Sequence, residues 1–142
     1  MHAYTTADAA DLTSLVETLL GDGVISVALF STDGLTLAAA GGLTREAAER
    51  SCAAFSGMQS FQRGLAEFFH AQPGALQSRV QISDFTTHTL LLVAAGHNTG
   101  LGVAVEGESF GPTAQMALRR ALKLVRALDE QFSSRDRAVQ RA

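Results

Sequence analysis

Residues 89–95, TLLLVAA, are apolar at both alternating positions, and this run constrains the chain more than any other. A strand that is apolar on both faces has to be covered on both faces, so its sheet needs helices above and below. The sequence supplies them. Between Asp8 and Leu20 the residues Leu12, Leu15, Val16, Leu19 and Leu20 fall at the i, i+3, i+4, i+7, i+8 spacing of one helical face, before Gly21 and Gly23. Thr44 ahead of REAAE reads as a helix N-cap with acidic residues in the first turn. From there Ala48, Cys52, Phe55, Met58, Phe61, Leu65 and Phe68 predict a helix of about 25 residues, ending before Pro73-Gly74. Pro112 opens a last helix, carried to about residue 132 by Met116, Leu118, Leu122, Val125, Leu128 and Phe132.

The remaining apolar runs are strands: Val24–Phe30, Leu35–Ala40, the alternating Leu76–Ser83, and LGVAVE after GHNTG. Asp33-Gly34 divides the first two at the point where a tight hairpin wants positive φ. The order is α-β-β-α-β-β-β-α, with short links between the last three strands that permit only antiparallel neighbours. The fold class is α/β of the α+β kind: one five-stranded antiparallel sheet between one long helix and two shorter ones. The domain is expected to span residues 8–132, with residues 1–7 and 133–142 as flexible termini.

Charge and composition exclude several functions. A net charge of −3 and a pI near 5.7 offer no general attraction for nucleic acid. Cys52 is the only cysteine, so no disulfide within the chain and no cysteine-rich zinc site can form. Neither a signal-peptide pattern nor a membrane span is read in the chain, and a cytoplasmic location is expected.

Few motifs suggest catalysis. Gly107-Glu108-Ser109-Phe110-Gly111 matches the G-x-S-x-G of a nucleophile elbow, but no His follows Ser109 and the preceding strands are hairpins, so a glycine turn is the better reading. His2, His70, His88 and His97 are scattered, and the single Glu67-x-x-His70 pair lacks the second copy that a di-metal bundle needs. Gly100-x-Gly102 has Val105 where a dinucleotide fingerprint has its third glycine. Cys52 reads as a small core residue, and Arg119, Arg120, Lys123 and Arg126 as a solvated cationic face, with docking of an acidic partner surface as the second reading. No enzyme activity, metal or cofactor is expected, and Asp33 is read as a turn residue with Gly34.

What stands out is the long apolar helix followed by the strand at 76–83. If that strand is a sheet edge, its free backbone groups invite a second strand, and the helix needs cover. A twofold homodimer meets both needs, with Ala54, Met58, Phe61 and Leu65 of the helix and Ser78, Arg79, Val80, Gln81 and Ile82 of the strand at its interface.

The succession of a helix, GVISVALFSTDGLTLAAAGG, an Ala-rich long helix, VQIS, LLLVAAG and LGVAVEG resembles the roadblock / dynein light chain family, in its bacterial branch. The resemblance covers about residues 10–130 and implies a roadblock, profilin-like fold that dimerises through the third strand and second helix. It implies a non-enzymatic regulator or adaptor of a small Ras-like GTPase, with GTPase activation among the family's activities and a sensor kinase among its associated proteins. It carries over no catalytic residue; Arg63 and Arg79 are the arginines nearest the expected partner surface. The rival readings are a scaffold without a GTPase and a small-molecule sensor of profilin-like shape.

Overall fold

The computed structural model describes the backbone of residues 6–141, and the side chains among them apart from those of residues 6–10, 63 and 131–141. Helix α1 (Thr6–Glu17) leads into strands β1 (Val24–Ser31) and β2 (Thr36–Ala40). Helix α2 (Arg45–Phe61) follows, continued by a short 3-10 turn at Gln62–Leu65. Strands β3 (Val80–Asp84), β4 (His88–Ala94) and β5 (Thr99–Glu106) precede helix α3 (Pro112–Arg141). The strands form one antiparallel sheet in the order β2-β1-β5-β4-β3. Successive side chains on a strand point to opposite faces, so each central strand feeds two cores. Val27 and Leu29 of β1, Leu91 and Val93 of β4, and Leu101, Val103 and Val105 of β5 pack with Leu12, Val16 and Leu19 near α1 and with Ala117, Ala121, Leu124 and Leu128 of α3. Ala28, Phe30 and Leu92, on the other face, meet Cys52, Phe55 and Met58 of α2. The doubly apolar run is therefore β4, as its pattern requires.

Local chemistry sets the corners. The Ser31 carbonyl accepts from Gly34 N, and the Ser31 amide donates to Leu35 O, both at 2.9 Å. This is a three-residue hairpin loop in which Gly34, at φ +89°, and not Asp33, takes the positive φ. Ser56 Oγ of α2 donates to the Thr32 carbonyl at 2.6 Å and fixes that loop against the helix. The Thr44 hydroxyl caps α2 by accepting from Ala47 N at 3.1 Å.

Three boundaries differ from the sequence expectation. Helix α2 stops at Phe61 instead of running on toward Pro73, because no sheet lies beneath the continuation. Among the described residues of 62–75 only Ala66 is buried, and Gly64 adds the backbone entropy cost of a helical glycine, about 1 kcal/mol. Strand β3 starts at Val80, not Leu76, because its partner runs out. Val80 is opposite Val93, the Arg79 carbonyl takes the Ala94 amide at 2.9 Å, and β4 then turns, leaving 76–78 unpaired. Helix α3 continues to Arg141, past residue 132, since no Gly or Pro follows Pro112 to end it. The long member of the helix set is therefore α3, not α2. Of the termini expected to be flexible, residues 1–5 and 142 lie outside the described residues.

Candidate functional site

Strand β3 is an edge, hydrogen-bonded to β4 alone. Its register shows which way each residue points. Val80 opposite Val93 and Ile82 opposite Leu91 share the α1–α3 face, while Gln81 opposite Leu92 shares the α2 face. There Gln62 Nε2, just past α2, donates to Gln81 Oε1 at 2.6 Å. The structure therefore ties the end of α2 to the middle of the edge strand, and so brings together the two halves of the expected interface.

The other interface candidates are distributed unevenly. Phe61 is 83% and Leu65 43% exposed at the end of α2, and Ile82 is 45% exposed on β3. Ala54 is exposed, whereas Met58 is half-buried against the Phe30 core. Ser78 and Arg79 are exposed but precede the strand. The side chain of Arg63 lies outside the described residues. The interface expected from the sequence omits Phe68, Phe69, Leu76 and Phe85. Of the eleven exposed large apolar side chains among the described residues, seven come from residues 61–85, namely Phe61, Leu65, Phe68, Phe69, Leu76, Ile82 and Phe85. These exposed apolar side chains, in the segment that runs from the end of α2 through the edge strand, are candidates for contact with another protein. The signal for them was the Phe68-Phe69 pair, which stack edge to face 5.4 Å apart and could not both have faced one side of a helix.

The residues with catalytic potential have structural partners. Ser109 is buried, and its hydroxyl and amide donate to Asp84 Oδ2 at 2.8 and 3.1 Å, so a carboxylate and not an imidazole faces it. These bonds and the Thr86 amide hold the Asp84 carboxyl below the usual carboxylate range. Burial pushes the Cys52 thiol up, weakly opposed by the neighbouring Thr36 hydroxyl, which has no other hydrogen-bond partner. His88 Nδ1 pairs with Thr87 Oγ1 at 2.9 Å, and His97 Nε2 lies 3.3 Å from Asp129 Oδ1. His70 and His97 occupy turns at positive φ, and His2 lies outside the described residues. Among the described residues no three His, Cys, Asp or Glu side chains are grouped to hold a metal.

Gly100 and Gly102 are explained by packing. A Cβ on Gly100 would lie 2.5 Å from Phe30 Cζ, and one on Gly102 would lie 2.4 Å from Phe55 Cε2. The G-x-G of β5 is thus the floor on which two Phe rings rest, 5.4 Å apart. Beside them a mostly apolar groove of ≈ 170 Å³ lies between α2 and the sheet, lined by Ser26, Leu43, Ser51, Phe55 and Leu90 among others. That is below the roughly 300–1,000 Å³ of typical small-molecule sites, and the Ser51 hydroxyl is already donated to the Ala47 carbonyl. Among the described residues no helix is long and apolar enough to cross a membrane.

No family model matches the sequence, and no curated protein matches it. Solved structures do. A Roadblock/LC7 domain from Streptomyces avermitilis superposes with a TM-score of 0.71 at 22% identity, over 85% of this chain and 97% of that one. MglB from Myxococcus xanthus gives 0.75 at 17% identity, over 94% and 96%. A gliding protein, MglB of Thermus thermophilus, gives 0.68 at 14% identity, over 91% and 95%. The chain has the roadblock fold, its five-stranded antiparallel sheet held between α2 on one face and α1 with α3 on the other.

Proposed function

We propose that this chain is a homodimeric regulator or adaptor of a small Ras-like GTPase, acting in the cytoplasm, with a sensor kinase as a further associated protein. The observation that carries this reading is the open β3 edge beside the exposed apolar end of α2, in a chain whose fold is shared with a gliding protein. An edge strand with unpaired backbone groups and an uncovered apolar flank is suited to holding another protein, and a second copy pairing β3 with β3 would extend the sheet across a twofold axis. The GTPase belongs to the reading because the STDGL corner and the helix after it resemble a family whose members regulate such enzymes.

Catalytic help to a GTPase would come from positioning the partner's own residues or from an inserted arginine, which is worth roughly 10³–10⁵ in rate. Arg63 and Arg79 are the arginines nearest the proposed surface in the sequence. Capture of proteins from the native cell with the full chain as bait should retain a small GTPase, and retention of none overturns the GTPase reading. With that GTPase purified, accelerated single-turnover GTP hydrolysis marks an activator, and binding at an unchanged rate marks an adaptor. Loss of acceleration in Arg63→Ala or Arg79→Ala with binding preserved would assign the finger.

A further inference from the structure

We infer that the outer surface of the α1–α3 layer docks a second copy of this chain, the basic stripe of α3 in one copy lying against the acidic α1 of the other. Charge is divided sharply along the sequence. Seven of the eleven basic residues and three of the fourteen acidic ones fall on α3, so that helix carries +4, while residues 1–111 carry −7 within a whole-chain charge of −3. The first basic side chain in the sequence is Arg45, so α1 and its following turn hold only acidic charges.

The fold puts these opposite charges side by side. Helices α1 and α3 share one core on one face of the sheet, through Leu12 and Val16 on one side and Ala117 and Ala121 on the other. Arg120 closes the seam, donating to the carbonyls of Thr18 at 2.9 Å and Gly21 at 3.5 Å. Outward from that seam α3 exposes Arg119, Lys123 and Arg126 at i, i+4 and i+7, headed by Met116, which is 60% exposed. Glu130 is the anion on that line. On the α1 side Asp11, Glu17 and Asp22 are exposed. The layer therefore sets a line of cations on α3 beside an α1 and following turn whose exposed charges are all acidic.

That pattern selects its occupant. A polyanion, whether nucleic acid or an anionic bilayer, would meet the carboxylates of α1 as it approached the cations of α3. A second copy turned about a twofold axis running along the helices places α3 over the other's α1 and α1 over the other's α3, so each line of cations meets an acidic helix. A shallow groove of ≈ 340 Å³ along the seam, lined by Leu19, Leu124 and Ala127 with Thr18, Arg120 and Lys123, gives an incoming side chain an apolar floor. Exposed charge pairs are individually weak and screened by salt, so the contact is salt-sensitive. It uses the sheet face opposite α2 and leaves the β3 edge free, and it does not depend on the GTPase reading.

The test is the mass of the full chain by light scattering between about 50 mM and about 500 mM NaCl. The low-salt species should have twice the mass of the high-salt one, with association weakened about tenfold or more by salt. Arg119→Glu with Lys123→Glu, and separately Asp11→Arg with Glu17→Arg, should each abolish the doubling, and an equimolar mixture of the two variants should restore it. Restoration shows that both variants are folded and that the stripes meet each other. A mass indifferent to salt, or variants that fail to restore one another, overturns the inference, as does salt-sensitive binding to phosphatidylserine vesicles without self-association. Failure of a β3 dimer would instead lower the high-salt mass, which these four substitutions leave untouched.

Discussion

Ser109 sits under Asp84: its hydroxyl and its amide both donate to Asp84 Oδ2, at 2.8 and 3.1 Å, while the Thr86 amide donates to Oδ1 at 2.7 Å. One carboxylate thus joins the end of β3, the β3–β4 turn and the loop entering α3. Three donors favour the charged form, led by the Ser109 amide, and hold the carboxyl below its usual range. A group whose folded-state pKa is depressed contributes stability that is present above its unfolded pKa and lost as pH falls through the folded value. Asp84→Asn should therefore melt below the parent at pH 7, and the gap should close as pH falls below about 4. Thermal melts of both proteins across that range check this; a gap that persists in acid would show that the loss was steric.

Gly102→Ala should destabilise the fold by about 1–3 kcal/mol, the usual cost of overpacking a filled core. The added methyl would meet the Phe55 ring at 2.4 Å, and Phe30, which is fully buried, closes one side of that ring. Gly102→Ala combined with Phe55→Leu should cost less than the sum of the two single changes, because the smaller side chain makes room. Urea unfolding of the four proteins in the cycle reads the coupling directly. Additive losses would show that the ring does not rest on the glycine.

The element order, and the pairing of both sheet faces with helices, were legible because TLLLVAA and the stripe Leu12, Val16, Leu19 carry period-two and period-3.6 signals that packing then rewards. The ends of α2, β3 and α3 were not. Phe61, Leu65 and Phe68 keep helical spacing, but that spacing records a preference and not the presence of something to pack on, and here the sheet ends first. Leu76 and Ser78 keep strand alternation past the last residue of β4 that could pair with them. The interface candidates fared similarly: Ile82 and Phe61 stand exposed at the edge, while Met58, on the same apolar stripe, is drawn into the core. Asp84 and Ser109 were beyond reach, being joined across 25 residues by a bond that neither residue type announces.

Arg120 is a second long-range contact of this kind. It belongs by sequence to a solvated cationic cluster, yet it donates to the Thr18 carbonyl at 2.9 Å, at the end of α1, where helix carbonyls lack partners within the helix. Arg120→Ala should cost about 1 kcal/mol, a charged hydrogen bond discounted for its exposed setting. Arg119→Ala, one residue earlier on the outer stripe, should be nearly neutral at moderate salt. Equal losses in the two variants by chemical denaturation would deny Arg120 its capping role.

The dimer proposed through β3 has the most direct test, because two exposed apolar residues there lie on different elements. Ile82 is 45% exposed on the edge strand and Phe61 83% exposed at the end of α2, and neither is needed by the monomer core. Ile82→Lys places on the edge the residue that natural sheets use to refuse a second strand. Phe61→Glu would bury a carboxylate in the helix contact, where an unpaired charge costs several kcal/mol. Each should halve the mass seen by light scattering at high salt while leaving the far-ultraviolet circular dichroism unchanged. A folded protein whose mass does not fall in either variant would place the partner surface elsewhere, and the exposed run of Phe68, Phe69 and Phe85 would then be the next to change.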